Sequence, residues 1–345
     1  STRRTMIVLR ELSGTSIGLL MLFYGFCATS ALWSPVEVYS LYRAVEVLVV
    51  FASLLSAIHC TSGFEHAERL VLGFAALVSV LVLAQYGRLV QWGSFHNNHC
   101  PMIAAMILCY CIGEVGQATV LRRRRLLAYA VASGVILCVG TSASANVATV
   151  CGVCMAGIIR RTKIRMLLIW VMVVATLLVL TGYIDKIEGA LMTILFPGKS
   201  EGQILTAHGR VQFWQDCWPA IMKRPLLGYG FGGAPRLLLG VRSAHNALMD
   251  IVIGTGIVGL GLFGLAVLVL LHEWTRIPDT TAGRVGCCCA FTTAFVGCMG
   301  TSFLGIDVNA SLIAFFMFVG LYGFRVLQHD NQPRVLHAYG HSHRA

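Results

Sequence analysis

The stretch HNALMDIVIGTGIVGLGLFGLAVLVLLH, residues 245–272, decides the class of this protein. From Ile251 to Leu271 it carries no charged side chain. An uninterrupted apolar run of about 20 residues is the length a helix needs to cross the hydrocarbon of a bilayer. Similar runs recur along the chain, at roughly 14–32, 44–60, 70–86, 101–119, 126–140, 146–160, 166–183, 285–303 and 310–327. The expectation is an all-α, polytopic transmembrane bundle of about ten spans, with the first apolar run a retained span rather than a cleaved signal.

Composition agrees with that reading. Of 345 residues, 57% are hydrophobic and only 12% charged, and mean hydropathy is +0.76. A soluble domain carries about 25% charged residues, so the polar surface needed to cover a water-soluble fold is missing. The net charge of +11 would raise the question of nucleic acid on a soluble protein. Here the basic residues form short clusters between apolar runs, which suits membrane orientation and phosphate-bearing lipids, and nucleic acid is set aside. The thirteen cysteines include Cys287, Cys288 and Cys289 in succession and Cys151 with Cys154. They read as small apolar side chains rather than as a metal or redox site.

Orientation follows from the arginines and lysines. Arg3, Arg4 and Arg10, the run Arg122 to Arg125, the group Arg160, Arg161, Lys163 and Arg165, then Arg276, Arg284, Arg325 and Arg334 all fall on one side of a ten-span chain, with both termini. The positive-inside rule makes that side the cytoplasm. The divisions are an N-terminal transmembrane bundle (1–183), a large periplasmic loop (184–244), C-terminal transmembrane helices (245–328) and a cytoplasmic tail (329–345).

In the loop, Lys186, Lys199, Arg210, Lys223, Arg224, Arg236 and Arg242 outnumber Asp185, Glu188, Glu201 and Asp216. A basic excess on the outer face runs against the orientation rule, and an anionic substrate there accounts for it. Val211, Trp214, Cys217, Trp218 and Ile221 recur at helical spacing, predicting a helix over Arg210 to Lys223 that lies on the membrane surface through its two tryptophans. Pro225 ends it, and Gly228, Gly230, Gly232 and Gly233 follow in a turn.

Histidine and glutamate candidates lie elsewhere. His96 and His99 flank Asn97 and Asn98 at an outer helix start, where capping outweighs metal binding. His59 and His66 fall on the cytoplasmic side. Glu114, with Gln117 near it, sits in the fourth span, as a partner for a neighbouring helix or half of a proton path.

The most specific pattern is His245-Asn246, then Gly256 after nine intervening residues, then Gly259. It resembles the His-[Asn/Ser/Gln]-x9-Gly-x-x-[Gly/Thr/Tyr] signature of bacterial O-antigen ligases, shared more loosely by O-antigen and exopolysaccharide polymerases. Upstream, Gly209-Arg210-Val211-Gln212-Phe213-Trp214 is similar to that family's Gly-Arg-x-x-x-Trp segment. Lys223 to Gly232 is similar to its Arg-Pro-Leu-x-Gly-x-Gly-x-Gly turn. Trp33-Ser34-Pro35 before a helix bearing Arg43, and Gly93-Ser94-Phe95 leading to Asn98, fit the same resemblance. The chain departs from the family in having Ala143 where an arginine commonly follows serine, and in its smaller number of spans.

The resemblance implies a glycosyltransferase that moves a glycan from undecaprenyl diphosphate to an acceptor hydroxyl. The motif holds no Asp-x-Asp and no Glu/Asp/His triad with metal spacing, so a reaction without metal or cofactor is the simpler reading. The resemblance also implies His245 and Arg210 as catalytic residues and Arg242, Arg236, Arg88 and Asn246 as substrate contacts. A diphosphate leaving group calls for fixed positive charge, which the guanidinium fork supplies. A neutral imidazole near pH 7 can orient and deprotonate an alcohol. Taken alone, His245-Asn246 is as readily a helix cap, and each arginine a headgroup anchor. Gly256 and Gly259 are expected to let another helix approach.

A repeat-unit polymerase of O-antigen or exopolysaccharide is the first expectation, given the compact size and the missing serine-arginine element. A ligase joining glycan to lipid A-core is the second. A lipid-linked polysaccharide transporter or flippase would show polar residues along several mid-membrane helices and an inverted repeat. A non-catalytic scaffold leaves the basic outer loop without a reason. The expected partners are the lipid-linked glycan, the acceptor glycan or lipid A-core, membrane lipids and other polysaccharide-assembly proteins, in the bacterial inner membrane.

Overall fold

The computed structural model describes residues 15–86, 99–139, 142–160, 210–232, 244–278, 280–300, 303–304 and 308–339. Among them there is no strand. The helices are α1 (Ser16–Thr29), extended by a 3-10 turn (Ser30–Trp33), α2 (Glu37–His59), α3 (Phe64–Tyr86), α4 (His99–Glu114), α5 (Val120–Val139), α6 (Ala143–Arg160), α7 (Arg210–Lys223), α8 (Ala247–Arg276), α9 (Arg284–Cys298) and α10 (Ala310–Tyr339). Every expected span has its helix except 166–183, which lies outside the described residues.

Four of these segments are long and apolar enough to cross a membrane: Ser16–Trp33, Glu37–His59, Ala143–Arg160 and Ala247–Arg276. Shorter apolar helices occupy the middle. With 16 residues, α4 is about 24 Å long, less than the roughly 30 Å hydrocarbon thickness. Nearly all of its side chains, and most of those of α9, are buried. A helix walled in by protein has no lipid thickness to match. The α4 and α9 backbones touch where a Cβ on Gly113 would stand 2.8 Å from Gly286 Cα. Such closeness at small residues is how apolar helices associate without a hydrophobic driving force.

Helix edges differ from the apolar windows in an instructive way. α2 and α5 begin earlier than expected, at Glu37 and Val120, because polar first turns remain hydrogen-bonded though they are not apolar. α4 stops at Glu114 and α9 at Cys298, short of the expected edges at 119 and 303. α10 continues to Tyr339, through the expected boundary between span and tail.

The helix ends gather in two groups. At one end Arg122 binds Glu68 (2.6 Å) and Glu114 (2.7 Å), all three buried. The Tyr110 hydroxyl donates to Glu68 (2.6 Å). Glu114 also accepts the backbone N–H groups of Gly283 (2.7 Å) and Gly286 (2.9 Å) at the start of α9. Arg160 donates to the Gly113 carbonyl, Arg284 to Trp274 (3.0 Å) and Arg325 to Ala282 (2.6 Å). Four arginines from four helices thus meet at this end. Glu114 serves as the structural partner of neighbouring helices rather than standing free for proton transfer.

Above this lies an aromatic core. Phe51 stacks on Phe316 (4.3 Å between centroids), and Tyr24 meets Phe316 (5.6 Å) and Phe231 (6.4 Å) edge-on. The Tyr24 hydroxyl donates to the Leu304 carbonyl (3.1 Å). The buried cysteines, among them Cys109, Cys111, Cys287, Cys288, Cys289 and Cys298, are free thiols that fill space between helices.

Candidate active site

The opposite end collects the sequence patterns singled out above, and α8 explains how. Its backbone is not continuous. Gly256 stands at φ 65, ψ −165, splitting α8 into two half-helices. A break frees carbonyls and N–H groups that apolar surroundings cannot satisfy, at several kcal/mol each. The turn after α7 fills it. Tyr229 N donates to Ile253 O (2.9 Å) and Gly230 N to Gly254 O (2.8 Å), while Ile257 N donates to Pro225 O (2.8 Å) and Val258 N to Leu226 O (3.3 Å). A Cβ on Gly256 would lie 2.1 Å from Leu226 O. The expectation that Gly256 packs a second helix is therefore corrected: its missing side chain admits the backbone of the 225–230 turn. Gly259 faces the Thr255 side chain and Phe26.

That turn is tied to α1 and to the bundle core. Phe231, 1% exposed, reaches Tyr24, and its N–H donates to Ser30 Oγ (2.9 Å). Trp33 Nε1 donates to Leu227 O (2.9 Å), and Arg224 lies over the Tyr229 ring (4.8 Å) while donating to Trp33 O (3.4 Å). Gly230, at φ 96, leaves no room for a side chain beside Ser34. Arg43, on the first turns of α2, pairs with Glu46 (2.7 Å) between Tyr39 and Tyr42.

The start of α8 carries the histidine. Asn246 is the N-cap, its Oδ1 accepting from Leu248 N (3.0 Å) and Met249 N (3.3 Å). This is the preferred way to satisfy the first amides of a helix. The sequence pair thus divides its labour: the Asn246 amide oxygen builds the cap, while His245 is exposed just ahead of it. Among the described residues His245 is the only non-glycine with positive φ, 53°. Such a conformation costs of order 1 kcal/mol or more and persists only where its surroundings enforce it.

α7 provides part of that enforcement. It spans Arg210–Lys223 as the periodicity predicted, and Cys217 and Ile221 pack with Tyr229, Ala244 and Ile253. The two tryptophans do not share a role. Trp218 is exposed, but Trp214 turns inward and its Nε1 donates to Ala244 O (3.0 Å). The expectation that both lie on the membrane surface is corrected for Trp214, whose Nε1 is held by a carbonyl within the protein. Burial, then the carboxylates of Asp250 and Asp216, push the Cys217 thiol up to about 11.

Arg210 opens α7, four positions before Trp214, so its Cα lies one turn away on the same side of the helix. The Arg210 side chain, and Arg88, Arg236 and Arg242 altogether, lie outside the described residues. His96 does too; His99 hydrogen-bonds Ser311 Oγ (2.9 Å) across the starts of α4 and α10.

Sequence reading missed Asp250. It is 2% exposed, sits in the first turn of α8, and accepts from Ala244 N (2.9 Å). An acidic residue at the edge of a long apolar run was the available signal.

The fold and this end define a polytopic helical membrane protein with a broken helix whose start presents a histidine. Residues 128–264 match the family model described as O-antigen ligase. That stretch, less than half of the chain, contains α7, the glycine-rich turn and His245 to Gly259, and its match supports a place in the O-antigen ligase-related superfamily. No curated protein matches the chain significantly.

Proposed function

We propose that the protein is a glycosyltransferase that moves a glycan from undecaprenyl diphosphate to a hydroxyl of an acceptor. Repeat-unit polymerisation of O-antigen or exopolysaccharide is the first reading, and ligation to lipid A-core the second. The observation that carries it is the meeting of α7, the glycine-rich turn and the strained His245 at one end, within the O-antigen ligase match.

The chemistry runs as follows. The acceptor oxygen bonds to the anomeric carbon while the bond from that carbon to the diphosphate oxygen breaks. His245 takes the acceptor proton. The departing diphosphate gains negative charge, which Arg210 neutralises, with Arg242, Arg236 and Arg88 as further contacts. The start of α8, capped by Asn246, adds backbone N–H groups and the positive end of its dipole. Nothing in this step draws on a metal.

The arginine-rich end faces the cytoplasm with both termini, and the His245 end faces the periplasm of the bacterial inner membrane. Residues 184–244 then form the periplasmic loop between the bundle of 1–183 and the helices of 245–328. Membrane lipids, the acceptor glycan or lipid A-core, and other polysaccharide-assembly proteins are the partners.

Purified protein incubated with an undecaprenyl diphosphate-linked oligosaccharide, with and without lipid A-core, tests the proposal. A longer lipid-linked chain supports the polymerase, and a lipid A conjugate the ligase. No transfer in either reaction overturns both. His245→Ala and Arg210→Ala are each expected to abolish transfer while membrane insertion is unchanged; normal transfer by both removes the site assignment.

A further inference from the structure

We infer that Asp250 and Trp214 are positioning residues that hold His245 through the backbone of Ala244. The inference rests on the proposed role of His245.

Ala244 is fully buried, and both its backbone groups are taken by side chains. Its N–H donates to Asp250 Oδ1 (2.9 Å) and its carbonyl accepts from Trp214 Nε1 (3.0 Å). The residue that follows is His245, exposed and at φ 53. A left-handed histidine relaxes unless the peptide on one side of it is fixed. Here that peptide is gripped from two elements far apart in sequence, α7 and α8.

Capping α8 does not by itself require this arrangement. Asn246 already accepts from Leu248 and Met249. The Asp250 oxygen instead reaches back past the cap to the residue before the histidine. A carboxylate in a first helical turn is favoured by the dipole, so Asp250 is stable there as a fixed acceptor. Trp214 supplies the opposite grip, and its position follows from the packing of Cys217 and Ile221 against Ala244 and Ile253. Between them they fix where the imidazole stands relative to the acceptor hydroxyl, without touching substrate.

The test is steady-state transfer from an undecaprenyl diphosphate-linked oligosaccharide by detergent-purified full chain. Asp250→Ala and Trp214→Phe are each expected to lower kcat about 10- to 100-fold, the scale of a misplaced catalytic group, with KM for the donor shifted less than about threefold. Asp250→Asn keeps the acceptor oxygen and retains most of the rate. If Asp250→Ala does not fold, Asp250→Asn and Trp214→Phe carry the comparison, each checked by its thermal midpoint.

Wild-type kcat in Asp250→Ala or Trp214→Phe beside an inactive His245→Ala overturns the inference and leaves the functional reading standing. So does a loss confined to KM, or an Asn variant as impaired as Ala. Full transfer by His245→Ala brings down the functional reading and this inference with it.

Discussion

At Cys217 two carboxylates and burial act on one thiol. Burial disfavours the thiolate most, and the carboxylates of Asp250 and Asp216 add to it, so the thiol stays protonated up to about pH 11. The raised value also fixes the sign of the pH dependence. The native state holds this proton more tightly than the unfolded chain, so the contribution is complete below the ordinary thiol range and is lost as pH rises towards 11. Iodoacetamide labelling followed by peptide mass spectrometry is expected to leave Cys217 unmodified at pH 8 while the exposed Cys60 reacts. Equal labelling of the two would show that α7 does not pack its Cys217 face against Ala244 and Ile253. The same local crowding explains why Asp250 escaped the sequence reading: its significance comes from Ala244 and from the helix laid over it.

For α8 the decisive feature is a break rather than a length. Gly256 holds a backbone conformation that a side chain resists, and Leu226 O occupies the space a Cβ needs. Gly256→Ala is expected to destabilise the protein by about 1–3 kcal/mol from backbone strain alone, with more from the clash. Gly264→Ala in the same helix meets nothing within 4 Å and is expected to be neutral or slightly stabilising. Tryptophan-fluorescence melts in detergent compare them; equal midpoints would show that the break is not required. The turn that fills the break is anchored through Phe231, so Phe231→Ala is expected to loosen it at a cost of about 3–5 kcal/mol, seen as a lowered midpoint and faster proteolysis after Lys223. Periodicity predicted α7 to the residue because a surface helix shows its apolar stripe plainly. It gave no sign of the break, since a glycine within an apolar run reads alike whether it packs a helix or ends one.

Across the whole molecule the two ends are built differently. The arginine-rich end is closed by Glu68, Glu114 and Arg122, which form a buried ion-paired cluster joining α3, α4, α5 and α9. Removing Glu114 strands the buried N–H groups of Gly283 and Gly286 and one guanidinium N–H of Arg122, at about 1–3 kcal/mol each. Glu114→Ala is accordingly expected to lower the thermal midpoint sharply, while the surviving folded fraction keeps its transfer rate, because the cluster lies at the end away from His245. A lost rate per folded molecule at an unchanged midpoint would mean that Glu114 takes part in the reaction. The opposite end is held by backbone hydrogen bonds between turn and broken helix, and it leaves His245 exposed.

The chain by itself determined its class, the position of almost every helix, the segregation of its basic clusters and the pieces of the O-antigen ligase pattern. Those are local properties, summed along a few turns of chain, and hydrophobicity and charge report them directly. Only the tertiary structure decided that the 225–230 turn seats in the gap of α8, that Trp214 and Trp218 part company, and that Ala244 is gripped on both sides before a left-handed histidine. Each of these depends on which hydrogen-bonding group meets which across long stretches of sequence. A backbone amide has the same identity in every residue, so the sequence carries no mark of the partner it finds.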